Sequence, residues 1–266
     1  MQILGYFASL LIGISLGMIG GGGSILTVPV LVYLFSVNPL LSTSYSLFVV
    51  GSTSLVGAYN NYLKGLVRIK TALLFGLSSI STVFITRKFI IAHIPQDFGA
   101  IGNFKITESM LVMVLFAILM VAASLSMIND SRKKLEVTKT EDKKINIPKL
   151  LGYGVAIGIV TGLLGAGGGF LLIPTLVLLV KLPMKEAIGT SLFIIALNSL
   201  IGFTGDLGHF AIDWIFLLEI TGIAIIGILI GGALSKKIHG NHLKKGFGWF
   251  VLVMGVYIII HETLIK

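Results

Sequence analysis

The sequence predicts an all-α integral membrane protein made of two inverted repeats, each a glycine-broken re-entrant helix pair plus about three transmembrane helices. Three observations predict it: an apolar composition, a glycine-rich break that occurs twice at one offset, and an uneven distribution of lysine and arginine. Of the 266 residues, 55% are hydrophobic and 12% charged, and the mean hydropathy is +1.01. A water-soluble domain of that length could not cover so much apolar surface, so the solvent is lipid. There is no cysteine, which excludes disulfides and thiolate metal sites. The net charge is +9, but the basic residues sit in short runs between apolar stretches, without a nucleic-acid-binding motif. They read as topology signals facing a lipid bilayer, and no nucleic acid partner is expected. The first charged residue is Lys64, so the basic start of a cleavable signal peptide is not seen.

The elements follow in order. Ile3 to Gly20 is apolar and runs into Gly17-Met-Ile-Gly-Gly-Gly-Gly-Ser24. Ile25 to Phe35 carries Pro29 and is too short to cross, since 11 residues cover about 17 Å of a core about 30 Å thick. Ser44 to Tyr62, Ile69 to Thr86 and Ser109 to Ile128 are long enough to span. A polar stretch from Asn129 to Pro148 separates the halves. Then come Leu150 to Gly165, a second break at Gly162-Leu-Leu-Gly-Ala-Gly-Gly-Gly169, and the short Phe170 to Val180 with Pro174. Ala187 to Thr204, Trp214 to Leu234 and Lys245 to Ile260 complete the chain. This gives repeat 1 over residues 1–128, a cytoplasmic linker over 129–148 and repeat 2 over 149–266, together forming one membrane domain.

A shift of 145 aligns the halves without a gap from Ile12 to Ile69. It matches Gly13 with Gly158, Gly17 with Gly162, Gly20 with Gly165, Pro29 with Pro174, Ser46-Leu47-Phe48 with Ser191-Leu192-Phe193, and Gly57 with Gly202. Chance similarity of apolar helices would scatter leucines and isoleucines, whereas a shared order of Gly, Pro and Ser is duplication. If both breaks are hairpin tips, each half has three full spans and the halves are inverted. Sixteen of the 20 Lys and Arg then face the cytoplasm, leaving Arg87, Lys88, Lys105 and Lys266 outside; parallel four-span halves would divide them 11 to 9. The positive-inside rule prefers six spans, two hairpins and external termini.

Backbone that leaves a helix at membrane depth needs protein or a polar cavity around it, so the two tips mark an interior site. Glycine lets a ligand approach the main chain, and the short helices after the tips would aim free N–H groups at the membrane centre, as an anion site requires. No lysine or arginine occurs before Lys64 or between Lys149 and Lys181. An anion at the tips is therefore expected to be held by amides and hydroxyls. The candidate binding residues are Gly20, Gly21, Gly22, Gly23, Ser24, Ser44, Ser46 and Thr53 in the first half. In the second they are Gly165, Gly167, Gly168, Gly169, Thr190, Ser191 and Asn198. Taken singly, membrane serines and threonines more often bond their own helix, and the Gly-x-x-x-Gly stripes at Gly13, Gly17, Gly154, Gly158, Gly162, Gly227 and Gly231 read as close helix packing. Asp206, His209 and Glu219 break the symmetry, since the first half has Asn61, Lys64 and Leu74 in their places. They are the candidates for ion coupling, with Glu219 expected to face the interior or to snorkel.

The duplicated glycine segment with its following proline, together with Gly189-Thr-Ser-Leu-Phe193, Asn198, Gly202, His209 and Ile212-Asp-Trp214, resembles the sulfite exporter TauE/SafE family over nearly the whole chain. The first half departs from that pattern at Ser44-Tyr45-Ser46-Leu47 and at Lys64. The resemblance implies a secondary transporter in the cytoplasmic membrane of a prokaryote. Its cargo would be sulfite, organosulfonates or related small anions, moved outward by alternating access along an ion gradient. An anion channel is the alternative. A membrane enzyme is a weaker one, since no catalytic triad, His-Glu-x-x-His or nucleotide-loop pattern is present and no cofactor or metal is expected.

Overall fold

A computed structural model describes residues 2–91, 97–101, 104–130, 147–178, 180–235 and 240–265. In the first half, α1 (Gln2–Ile19) leads through a 3-10 turn (Gly22–Leu26) into α2 (Thr27–Tyr33), followed by α3 (Pro39–Leu63), α4 (Ile69–Ile85) and α5 (Glu108–Asp130). The second half repeats the order as α6 (Ile147–Leu164), α7 (Gly169–Leu178), α8 (Met184–Asp206), α9 (Trp214–Leu234) and α10 (Gly240–Ile260). Most of the polar stretch read as a linker lies outside the described residues, although α5 and α6 extend into its two ends.

Local chemistry accounts for several boundaries. Asn38 Oδ1 accepts the N–H of Leu40 at 2.9 Å, and Pro39 takes the first helical position, so α3 starts there. It ends where Gly65 turns left-handed at φ +70°, with Leu66 N–H donating to Asn61 O and Gly65 N–H to Tyr62 O. That pair of bonds satisfies the last carbonyls. Asp213 Oδ1 caps α9 through the N–H of Phe216.

The helices pack across the halves rather than within them. Gly13 lies on Ala224 and Gly227, and Gly17 on Ile228 and Gly231, so α1 runs parallel to α9 at backbone contact. The same arrangement joins α6 to α4: Gly154 meets Phe75 and Ser78, Gly158 meets Ser79 and Thr82, and Gly162 meets Thr86. The glycine stripes are therefore packing surfaces, as expected. The equivalent helices α3 and α8 run antiparallel, with Gly51 against Leu200, Gly57 against Leu192 and Gly202 against Leu47. α5 and α10 pack on each other, with Gly255 against Met120. A matched pair of bonds links the halves: Arg68 N–H donates to Thr190 Oγ1 at 3.0 Å, and Asp213 N–H donates to Tyr45 Oη at 2.7 Å. Both donors and both acceptors are 145 residues apart.

Polarity is distributed as a lipid solvent requires. Leu77 and Ile215 are 72% and 75% exposed, while Ser42, Thr43, Ser44, Ser46, Thr53 and Ser54 are wholly buried. Among the described residues, Pro39–Leu63, Ile69–Ile90, Met184–Asp206 and Trp214–Leu234 are long and apolar enough to cross a membrane. α4 and α8 run side by side between two ion pairs, Arg68–Glu186 at their starts and Arg87–Asp206 at their ends. The 19 residues from Arg68 to Arg87 cover about 28 Å at helical rise, close to the hydrocarbon thickness.

The glycine hairpins have unequal arms. α1 and α6 each have 18 residues, about 27 Å; α2 has 7 and α7 has 10. One element was not expected. A two-stranded antiparallel hairpin, β1 (Asp97–Ile101) with β2 (Phe104–Thr107), pairs Ala100 with Lys105 and Ile101 with Phe104 between α4 and α5. Its signal is present as Gly102-Asn103 between two short apolar runs, a turn pair that favours hairpins.

Candidate functional site

The two glycine breaks meet. A Cβ on Gly21 would stand 2.7 Å from Gly169 Cα, and one on Gly169 would stand 2.6 Å from Gly21 Cα and from Ile195 Cδ1. Ile195 is halfway along α8, so the contact lies at the middle of the helices that span. Gly20 (φ +87°) fits under Ile188, and its equivalent Gly165 (φ +67°) fits under Thr43, which occupies the position matching Ile188. Gly167 and Gly168 also have left-handed φ, at +67° and +66°. A β-carbon would be strained at each of these four positions. Gly22 and Gly23 are not left-handed; Gly23 is required instead by its closeness to Ile12 O and Leu16 N.

The buried polar atoms without a partner include several on α3 and α8: Oγ of Ser44, Ser46, Ser54 and Ser199, Oγ1 of Thr53, and Nδ2 of Asn198. The antiparallel register of α3 and α8 puts Thr53 and its equivalent Asn198 at one level. Asn198 Oδ1 is satisfied by Ser79 Oγ at 2.9 Å, which leaves only its amide donor free. A Cβ on Gly167 would meet Ser199 Oγ at 3.1 Å, so that hydroxyl faces the second tip. Unsatisfied polar atoms within lipid are costly unless a ligand or water meets them. Other candidates are already bonded. Ser24 Oγ donates to Gly21 O at 2.8 Å, Ser191 Oγ donates to Ile188 O at 2.9 Å, and Thr190 receives the Arg68 N–H.

The expectation that no cation reaches the tips is corrected by Arg87. The charge count placed it in an external loop, but it is completely buried, in a π-helical turn (Thr86–Ile90) that extends α4. Such widened turns often accompany function. Nη1 donates to Asp206 Oδ2 at 3.2 Å and to Thr43 Oγ1 at 3.0 Å. Nη2 lies against Gly165 at the second tip, and Ser44 sits beside Asp206 without hydrogen-bond geometry. Asp206 is thus held inside, while His209 is exposed on the turn that follows, its N–H bonded to Asp206 O. Glu219 does not face the interior. It lies on the exposed side of α9 and accepts a hydrogen bond from Tyr6 Oη at 2.7 Å.

Sequence reasoning also missed Thr43, Ser54 and Ser199. Ser54 and Ser199 are a pair at the same offset of 145, each adjacent to a residue that was singled out, so the repeat itself could have found them. Arg87 continues the buried stripe Phe75, Ser79, Val83 at four-residue spacing, which is a helical signal for an inward side chain.

Comparison with known proteins agrees with this architecture. The chain matches a family model described as Sulfite exporter TauE/SafE over residues 6–258. It is 27% identical over 252 residues to a "Probable membrane transporter protein" of Xylella fastidiosa, covering 94% of this chain and 91% of that one. A protein of Bacillus subtilis with a similar description is 26% identical over 256 residues, covering 91% and 89%, and one of Methanocaldococcus jannaschii is 24% identical over 264 residues, covering 94% and 92%. No solved structure matches significantly. Apolar spans, hydroxyls turned inward and a family match over nearly the whole chain lead to one conclusion: the chain is a multi-pass membrane transporter belonging to the sulfite exporter TauE/SafE family.

Proposed function

We propose that this transporter is a secondary carrier that exports sulfite, organosulfonates or related small anions across the cytoplasmic membrane of a prokaryote. The observation that carries the reading is the meeting of Gly21 with Gly169 halfway along α3 and α8, helices that carry buried polar atoms without partners. At the start of α7 the amides of Leu171 and Leu172 donate to Gly168 O, so the main chain offered to an oxyanion is that of the glycine tip before them. Seryl and threonyl hydroxyls donate further bonds, and none of these groups binds so strongly that cargo could not leave.

The antiparallel run of the equivalent helices α3 and α8 supports inverted repeats, which supply two related gates around one site. Exchange of the two repeats' conformations would open the site first to one side and then to the other. The tips are in backbone contact, which supports a carrier that must move to open over a static pore.

The test is anion flux in proteoliposomes holding the purified full chain, with thermal unfolding in detergent read alongside. Sulfite, sulfoacetate, taurine, thiosulfate and sulfate are compared, because a bound ligand raises the unfolding midpoint by mass action. Saturable sulfite or sulfonate flux with a matching midpoint shift is expected. Flux linear in concentration would replace the carrier with a channel, and absence of any anion response would reject the substrate class.

A further inference from the structure

Arg87 is a guanidinium with most of its binding capacity unused. It carries five N–H donors in a planar fork, and a carboxylate that satisfied it would take two parallel bonds. Asp206 instead contacts Nη1 alone, at 3.2 Å, and Thr43 shares that nitrogen. Nε and Nη2 have no partner, nor does Asp206 Oδ1, although both residues are 0% exposed. The Nε and Nη2 edge is the one that receives an oxyanion bidentately. It belongs to the second tip, since a Cβ on Gly165 would stand 2.7 Å from Nη2, and only glycine leaves that donor approachable.

We propose that the Nε and Nη2 edge of Arg87 binds the sulfur oxyanion at the second tip, while Asp206 holds the opposite corner of the guanidinium. This rests on the anion-carrier reading above and assigns that reading its cationic residue. Asp206 has two effects. It keeps the buried charge neutralised when cargo is absent, and it weakens cargo binding by occupying part of the same charge. The positions matching Arg87 and Asp206 in the other repeat are Gly232 and Asn61, so the cation serves one tip only. An oxyanion that presents two adjacent oxygens fits the edge, as pyramidal sulfite and the tetrahedral sulfonate group both do.

The test is equilibrium binding of sulfite and of methanesulfonate to the purified full chain and four variants. Arg87→Gln is expected to bind at least about tenfold more weakly, as loss of a charge-assisted bidentate contact implies. Arg87→Lys retains charge without the fork and is expected to fall between the two. Asp206→Asn removes the competitor and is expected to bind about fivefold or more tightly, with slower release. Because Arg87→Gln leaves a buried carboxylate alone and could fail to fold, the double variant Arg87→Gln/Asp206→Asn removes both charges together and is expected to fold and bind as weakly as Arg87→Gln. If the wild-type protein binds and the folded double variant binds equally well, Arg87 is not the recognition residue, while the carrier reading survives. Unchanged affinity in Asp206→Asn overturns the competitor role. If the wild-type protein binds neither anion, the proposed substrate class falls and this inference falls with it.

Discussion

Substituting alanine for Gly21 or Gly169 tests whether the two tips touch. Neither residue has a left-handed φ, so the backbone conformation admits a β-carbon and the cost is purely one of contact. At Gly21 the added atom would stand 2.7 Å from Gly169 Cα, and at Gly169 it would stand 2.6 Å from Gly21 Cα. Carbon atoms prefer about 3.5 to 4.0 Å, so the two hairpins must separate by roughly 1 Å. The obstacle is main chain on both sides, which no rotamer change can relieve. Overpacking of this kind costs about 1–3 kcal/mol, or a fall of roughly 2–10 °C in the unfolding midpoint of a chain this size. The double variant is diagnostic: once one β-carbon has parted the tips, the second meets less resistance, so the combined loss should fall short of the sum by at least about 0.5 kcal/mol. Thermal unfolding in detergent and sulfite uptake by proteoliposomes are measured for the cycle. Additive losses, or midpoints and uptake equal to the wild type, would show that the tips do not touch and would remove the central site.

Other outcomes follow from particular residues. Cysteines introduced at Lys88 and Lys185, both exposed and at opposite ends of the α4–α8 pair, should label from opposite sides of the membrane, with Lys185 cytoplasmic; labelling from one side would overturn the topology. Glu219→Gln should leave transport and its response to a pH gradient unchanged, since this carboxylate faces outward against Tyr6, and lost acceleration in proteoliposomes would return it to the coupling pathway. Two glycines in α6 should part company in the unfolding midpoint. Gly152→Ala meets nothing within 4 Å and gains up to about 1 kcal/mol of helix propensity, whereas Gly154→Ala drives into Ser78 and Phe75 O and should lower the midpoint.

Legibility followed periodicity. The offset of 145 exposed the repeat because Gly20 and Gly165, or Gly17 and Gly162, answer to the same contact in both halves. Thr53 and Asn198 were readable for the same reason, being equivalent positions where a polar group in lipid needs explaining. Arg87 was harder to read, because a charge at the end of an apolar run is ordinarily a loop residue, and its place on the stripe of Phe75, Ser79 and Val83 counts only if the helix continues past Ile85. Glu219 was legible in depth but not in direction. Its depth in α9 was correct, but an apolar helix gives little indication of which face is turned to lipid, and Tyr6, 213 residues away, provides the partner. The glycines of the breaks could not be ranked from sequence, since four are required by φ and others by a neighbour's backbone.

The crossed packing of the halves bears on how the chain is made. α1 presents Gly13 and Gly17 to α9, which leaves the ribosome about 200 residues later; at about 5–20 residues per second that delay is roughly 10–40 s. Throughout that interval the small-residue face of α1 has only lipid or the insertion machinery beside it, and α2 lacks the second break that will meet it. α4 waits less, because α6 follows it closely. The order of synthesis therefore completes one arm's seat early and the other's last, so a stalled or truncated product lacking α9 would hold its first helix unclamped in the bilayer, a form that quality-control proteases can recognise.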